Sequence, residues 1–221
     1  MRLVLASNNA KKLKELSALL SPLAIDLVAQ GTLGVAEAEE PHVTFIENAL
    51  AKARHAAQHS GLPAIADDSG LCVDALGGHP GVQSAHYAPL VIDPAWPRED
   101  LRARQDAANN QRLLADLASH TDPASRRARF VCVLVALRSA DDPEPLVVSG
   151  LWHGEILQAP QGEGGFGYDP LMQIPALGRS VATLDAAVKN AHSHRALAAA
   201  QMLALMRSAW GLQGQQMDGR P

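Results

Sequence analysis

The sequence predicts an α/β fold built on a mixed sheet, and three patterns predict it. A short apolar run, Leu3 to Ala6, breaks at Ser7-Asn8-Asn9 into a stretch where Leu13, Leu16, Leu20 and Leu23 recur at helical spacing. Much later, the β-branched run Phe130 to Leu137 and a second run from Leu146 to about Leu157 flank a turn at Asp141-Asp142-Pro143, the best hairpin in the chain. Strand-helix units favour parallel pairing and a hairpin is antiparallel, so the sheet has to be mixed. No internal repeat occurs and no linker separates independent halves. Residues 1–210 are therefore expected to form one domain, with Gly211 to Pro221 as a frayed tail.

Each element follows in order. The first helix stops at Ser21-Pro22, Ile25 to Ala29 forms a second strand, and Gly31 to Pro41 is an acidic connection carrying Glu37, Glu39 and Glu40. Thr44-Phe45-Ile46-Glu47 is a capping box, in which threonine and glutamate side chains satisfy each other's orphan backbone donors. The helix it opens shows an inward face of Ile46, Ala49, Leu50, Ala53, Ala56 and Ala57, and Gly61 sits where its C-terminus wants a left-handed residue. Pro63 to Ala66 is a short strand running into a turn at Asp67-Asp68-Ser69-Gly70, and Leu71 to Leu76 leaves that turn as another strand. Gly77 to Gly81 is loop. A polar helix from about Arg98 to Ser119 keeps Leu101, Leu113, Leu114 and Leu117 as its apolar side. After the hairpin come a loop from Pro160 to Pro170, a short strand near Leu171 to Ile174 and an Ala-rich helix from about Ser193 to Arg207.

Composition narrows the function classes. With 221 residues, 47% hydrophobic and 19% charged, the chain has ordinary globular usage and enough length to bury a core without staples. A net charge of −4 supplies no global basic field, so a nucleic-acid partner is not expected and a phosphate ligand must meet local cations. Cys72 and Cys132 lie in apolar strands without metal spacing and read as reduced core residues, which suits a cytoplasm. No run approaches the roughly 20 apolar residues of a membrane span, and the N-terminal apolar stretch is too short for a signal peptide. Neither export nor a membrane is expected.

Four constellations carry chemistry. Ser7-Asn8-Asn9-Ala10-Lys11-Lys12 is a strand-to-helix turn whose backbone donors, hydroxyl, amides and lysines suit a polyphosphate, although a capped turn with solvated lysines would look the same. Asp67-Asp68 places two carboxylates at the end of a buried strand, which is costly unless a cation or hydrogen bonds compensate, so a metal or catalytic role is favoured. Glu40, and less directly Glu37 and Glu39, could add oxygen ligands for Mg²⁺. Gly162-Glu163-Gly164-Gly165-Phe166-Gly167-Tyr168-Asp169-Pro170 contains a literal GxGxxG, but no βα unit surrounds it, so dinucleotide binding is set aside. A glycine loop presenting an aromatic ring and a carboxylate can instead stack on a base and bond its edge. Lys189-Asn190-Ala191-His192-Ser193-His194-Arg195 crowds cations at the start of the last helix, where neutralising phosphate and reading a 6-oxo group suit it better than zinc. His55 and His59 are four apart without a zinc-protease pattern and read as solvent-face residues.

In this order, SNNAKK, EEPHVTFIENA, PAIADDSGLCVDALGG, GEGGFGYDP and KNAHSHR resemble the non-canonical purine NTP pyrophosphatases, also called the inosine triphosphatase or dITP/XTP diphosphatase family. The resemblance runs from about Leu3 to Met206. It implies a mixed, twisted sheet with flanking helices and two lobes around a central cleft, a homodimer, and Mg²⁺. It implies a nucleoside triphosphate substrate bound through Ser7, Asn8, Asn9, Ala10, Lys11, Lys12 and Lys189. Glu40 and Asp68 are implied as metal ligands, with Asp68 as general base assisted by Lys12 and Lys189. Ser69, Phe166, Gly167, Tyr168, Asp169, His194 and Arg195 are implied in base recognition. Spacing alone leaves open which of Asp67 and Asp68 is the base, and only the resemblance prefers Asp68. Three positions depart from the family pattern: His86 where arginine is usual, Ala187-Val188 for an acidic pair, and Leu171 for an aromatic residue.

The reaction this implies is hydrolysis of deaminated purine triphosphates such as dITP and XTP to monophosphate and pyrophosphate. Two other readings compete. Septum-associated nucleotide pyrophosphatases share the LASNNAKK type of start, but the FGYDP and SHR segments argue against them. A non-catalytic nucleotide sensor would carry the Asp67-Asp68 pair and Glu40 as an unnecessary electrostatic cost.

Overall fold

The computed structural model describes residues 1–212. Its elements run β1 (Arg2–Leu5), α1 (Ala10–Leu20), β2 (Asp26–Ala29), α2 (Phe45–Ser60), β3 (Ala64–Val73), α3 (Arg98–Asp116), β4 (Arg127–Leu137), β5 (Leu146–Ile156), β6 (Met172–Ile174), β7 (Arg179–Ser180), α4 (Ala186–His192) and α5 (His194–Trp210). The strands hydrogen-bond in the order β2-β1-β3-β4-β5-β6-β7. β1 pairs in parallel with β2 and β3, whereas β6 pairs antiparallel with both β5 and β7, so the sheet is mixed as the sequence requires. Among the described residues no helix is long and apolar enough to cross a membrane.

The chain divides into two compact units whose boundaries fall inside β3, β4 and β5. The first comprises Met1–Asp68, Cys132–Gly150 and, of the described residues, 190–212. Its core gathers Leu3, Leu5, Leu16, Leu20, Ile65, Leu134, Ala198, Ala199 and Met202, from both strands and helices. β1 shows no exposed surface at Leu3, Val4 or Leu5, as a strand flanked by parallel neighbours should. Asn9 starts α1 by accepting hydrogen bonds from the Lys11 and Lys12 backbone amides. α5 packs closely because Gly150 on β5 has no side chain: a Cβ there would run into the His194 carbonyl and the Ala198 amide.

The second unit comprises Ser69–Val131 and Leu151–Lys189. Its core is Leu71, Leu113, Leu117, Phe130, Trp152, Tyr168, Leu171, Met172 and Val181. Leu171, where the family pattern has an aromatic residue, is fully buried in it. Arg126 is buried too, and its guanidinium ties together four carbonyls, those of Leu117, His120, Ile156 and Leu157.

Several expectations need correction. Asp67-Asp68-Ser69-Gly70 is not a turn but the middle of a single ten-residue strand, β3, since pairing with neighbouring strands overrides the local turn preference. The inward face of α2 is rotated: Asn48, Ala49, Lys52, Ala53, Ala56 and Ala57 are buried, while Ile46 is 51% exposed. The capping box is half of what was expected, because Thr44 accepts from the Glu47 amide at 3.3 Å but its hydroxyl donates to the Glu47 carboxylate at 2.5 Å. β7 and α4 had no expected counterpart. Gly211 is the left-handed C-cap of α5 and Leu212 packs against the core, so the tail expected from Gly211 does not begin there. Residues 213–221 lie outside the described residues.

Candidate active site

In the first unit the turn before α1 is already engaged. Asn8 accepts from the Gly31 amide at 2.8 Å, and Asn9 accepts from the amides of Lys11 and Lys12 at 3.0 and 3.3 Å. Ser7 accepts from the Asn9 amide at 3.1 Å. Two of the helix-start donors expected to meet phosphate are thus capped from within. What the turn presents are Ser7, half-buried, the exposed Ala10 and Lys11, and the ammonium of Lys12.

The strand β3 carries Asp67 and Asp68 into the same unit, both buried. Asp67 takes Lys12 Nζ on Oδ1 at 2.6 Å and Arg195 Nε on Oδ2 at 2.7 Å, and the Cys132 thiol lies 3.5 Å from Oδ2. Burial alone would raise the Asp67 carboxyl pKa, but the charges of Arg195 and Lys12 hold it well below the usual carboxylate range. Asp68 receives Lys52 Nζ on Oδ1 at 2.8 Å, and that same ammonium reaches Glu40 Oε2 at 3.1 Å and the Asp67 carbonyl at 3.2 Å. Here burial prevails over the pull of Lys52, with the Glu40 charge adding to it, and the Asp68 carboxyl is pushed up to about 6. Lys52 itself is raised, since Asp68 and Glu40 together outweigh its burial.

Asp68 Oδ2 is buried and has no hydrogen-bond partner among the described residues. An acceptor oxygen left this way is costly unless a ligand or cation completes it. Glu40, with its side chain 45% exposed and on the same ammonium, offers a second oxygen donor. No group of three or more His, Cys, Asp or Glu side chains forms a metal cage among the described residues. Two carboxylates without a cage fit Mg²⁺, which keeps waters and substrate phosphates in its shell, and do not fit a closed zinc site.

In the second unit, α3 and Lys189 shape the glycine loop. The Asp169 carboxylate takes Lys189 Nζ at 2.8 Å and the Phe166 amide at 3.0 Å, and the Lys189 ammonium lies 4.7 Å from the Phe166 ring centre. Gly165 sits at φ +76°, and a Cβ there would collide with the Asp169 carboxylate, so only glycine lets the loop close on that group. The Gly167 peptide is held on both sides, its amide by Asp106 at 2.8 Å and its carbonyl by Asn110 Nδ2 at 2.9 Å. Tyr168 is turned inward: it is buried, its hydroxyl donates to the Ser84 carbonyl at 2.9 Å, and burial raises its pKa. The half-exposed ring of the loop is Phe166 alone.

At the start of α5, Ser193 caps the helix through the Ala196 amide, His194 is buried and His192 is exposed. Arg195, expected at a base edge, is 1% exposed and pairs through Nη1 with Glu15 at 2.5 Å as well as through Nε with Asp67. Ser69 is half-buried and His86 is exposed. Lys52, Glu15, Asp106 and Asn110 were not foreseen. For Lys52 a signal existed, since Asn48 and Lys52 stand at i, i+4 beside the alanines of an inward face.

A mixed α/β fold whose buried carboxylates meet cations, Asp67 with Lys12 and Arg195 and Asp68 with Lys52, is that of an α/β enzyme. The Ham1 family model matches residues 3–205. A dITP/XTP pyrophosphatase of Leptothrix cholodnii is 73% identical over 216 residues, covering 96% of this chain and 100% of that one. Another protein so named, from Methylibium petroleiphilum, is 68% identical over 95% of this chain and 99% of its own length. Among solved structures, a HAM1 protein from Coxiella burnetii matches with a TM-score of 0.81 at 42% identity, covering 93% of this chain and 98% of that chain. The Staphylococcus aureus Ham1 protein gives 0.78 at 34% identity over 95% of this chain and 100% of that one. The chain belongs to the Ham1 family.

Proposed function

We propose that this chain hydrolyses deaminated purine nucleoside triphosphates, ITP or dITP and XTP or dXTP, to the monophosphate and pyrophosphate. Cleared from the nucleotide pool in this way, such bases do not enter DNA or RNA. The names of its relatives support the substrate class, and one observation carries the chemistry: Asp68, buried and raised to about 6, has one oxygen held by Lys52 and the other without a partner. A carboxylate with one oxygen fixed by an ammonium and the other open is suited to accept a proton. Asp68 takes it from the water that attacks the α-phosphorus in line, while Lys52 fixes the orientation of the carboxylate.

Lys12 and Lys189 supply positive charge to the phosphates, each held by its own carboxylate, Asp67 and Asp169. Ser7, Asn8, Asn9, Ala10 and Lys11 form the turn that receives them. Asp68 and Glu40 would hold Mg²⁺, which when bound supplies charge neutralisation at the phosphate oxygens. Positioning and charge, not a covalent step, accelerate this class of reaction. Ser69, the Phe166-Gly167-Tyr168-Asp169 loop and His194 serve the base, with Phe166 as the stacking ring. Hypoxanthine and xanthine present an O6 acceptor and an N1–H donor, and adenine the reverse, so a site bonded to that edge rejects ATP by up to ~10⁴-fold. A cytoplasmic homodimer of single-domain chains completes the reading.

Product analysis tests it. With Mg²⁺, ITP, dITP and XTP should each release pyrophosphate and the monophosphate, and ATP should be nearly inert. Stepwise release of orthophosphate through a diphosphate would overturn the mechanism.

A further inference from the structure

We propose that Asp106 and Asn110 of α3 are positioning residues that set the direction of the Phe166 ring. The role rests on the function proposed above, in which that ring stacks on the base. The two residues stand four apart on α3 and so share one face of that helix. From this face they take both polar groups of Gly167. Its amide donates to Asp106 Oδ2 at 2.8 Å, and Asn110 Nδ2 donates to its carbonyl at 2.9 Å. The Asn110 amide has one workable orientation, because Nδ2 also donates to the Asp106 carbonyl at 2.9 Å and an oxygen in its place would meet two carbonyls.

Gly167 is where the loop most needs such a support. It stands at φ +62° with open space where a side chain would be, so no packing confines it, and glycine has the widest backbone freedom of any residue. What α3 holds there is one end of Phe166. At its other end the Phe166 amide donates to Asp169 Oδ2 at 3.0 Å, while the peptide that follows Phe166 is the one whose N–H Asp106 accepts. Within the loop that second peptide has a longer bond, from the Asp169 amide to the Phe166 carbonyl at 3.3 Å. With both flanking peptides fixed, the Cα–Cβ direction of Phe166 is fixed, and the half-exposed ring leaves the loop along a set line. Tyr168 is anchored separately, buried and donating to the Ser84 carbonyl at 2.9 Å. Cutting the α3 contacts therefore leaves the loop in place and relaxes the aim of Phe166.

Kinetics on the full chain test this. Asp106→Ala should raise KM for ITP about 10-fold and leave kcat within about 2-fold, since a misaimed ring loses stacking in ground and transition state alike. Asp106→Asn keeps an acceptor for the Gly167 amide and should stay within about 3-fold of wild type. Asn110→Asp, which turns an oxygen toward the Gly167 carbonyl, should behave like Asp106→Ala. In a Phe166→Ala background, Asp106→Ala should raise KM no further, because its effect passes through that ring. Equal losses from Asp106→Asn and Asp106→Ala would overturn the proposal, as would an undiminished loss in the Phe166→Ala background. A readout without substrate separates this from the functional reading. Hydrogen exchange at the Gly167 amide should be about 10-fold faster in Asp106→Ala, and unchanged in Gln111→Ala, exposed on the same helix, while the Leu113 amide of α3 keeps its wild-type rate. An unmoved Gly167 amide refutes the clamp, and a Leu113 amide that accelerates with it assigns Asp106 to the stability of α3 and refutes the proposal as well. A wild-type enzyme inert on ITP refutes only the function.

Discussion

Asp67 and Asp68 are the same residue one position apart on one strand, and their neighbours give them opposite characters. Successive side chains of a strand leave on opposite faces, so the two carboxylates meet different surroundings. Asp67 meets Arg195 and Lys12, and each of its oxygens has a cation. Asp68 meets Lys52 on one oxygen and has none on the other. Burial is the largest influence on both, yet it is overcome at Asp67 and prevails at Asp68. A buried carboxylate that is fully matched becomes a strut, and one that is half matched remains available for chemistry or a metal.

The largest effect should come from the half-matched member. Asp68→Asn removes base and metal ligand with little change of volume, and kcat for ITP should fall on the order of 10³- to 10⁴-fold while the thermal melt stays put. A near wild-type kcat at saturating Mg²⁺ would break the contrast.

Asp67→Asn should act on stability instead. It takes the carboxylate partner from the part-buried Lys12 and leaves the buried Arg195 with Glu15 as its counter-charge, and urea unfolding should show a loss of about 3 kcal/mol. If the variant unfolds like the wild type, Asp67 is no strut.

Lysines on one helix sharpen the comparison further. Lys12→Ala, and likewise Lys189→Ala, should cost about 2–4 kcal/mol in kcat/KM, whereas Lys14→Ala, exposed on α1, should cost less than about 0.5 kcal/mol. Equal losses at Lys12 and Lys14 would mean that the lysines act as a diffuse field.

The smallest effect among the carboxylates belongs to a third one. Asp142 is tied off like Asp67, accepting from the Arg138 and Glu144 amides and from the Arg138 guanidinium, which depress its pKa against burial. Its partner is largely solvated, so Asp142→Asn should cost only about 1 kcal/mol. A depressed folded pKa stabilises above the unfolded value of about 3.9 and fades as pH falls below it. The stability gap between wild type and variant, measured by urea unfolding, should hold from pH 7 to 5 and narrow below about pH 4. A gap that widens in acid would mean that Asp142 is not held ionised.

The order of elements was legible because it rests on local periodicity. The helical spacing of Leu16 and Leu20, the unbroken apolar run of β4 and the caps at Thr44 and Gly61 all appear where the sequence puts them. So does the family, since five short segments in fixed order carry it. Local pattern misled where tertiary pairing outweighs it. Asp-Asp-Ser-Gly has turn chemistry, yet it runs straight as the middle of β3. A hydropathy rule puts Ile46 inside and Lys52 outside, and the site reverses both by drawing an ammonium inward to Asp68.

The sequence by itself determined which charged groups the protein has and on which elements they ride. Which charge meets which was decided only by the tertiary structure. Arg195 reaches Asp67 from 128 positions away and Glu15 from 180. No periodicity encodes contacts at such separations, and a guanidinium that could face either a base or a carboxylate looks the same in sequence. Burial settles the difference, because an arginine withdrawn from water must find its counter-charges inside the protein.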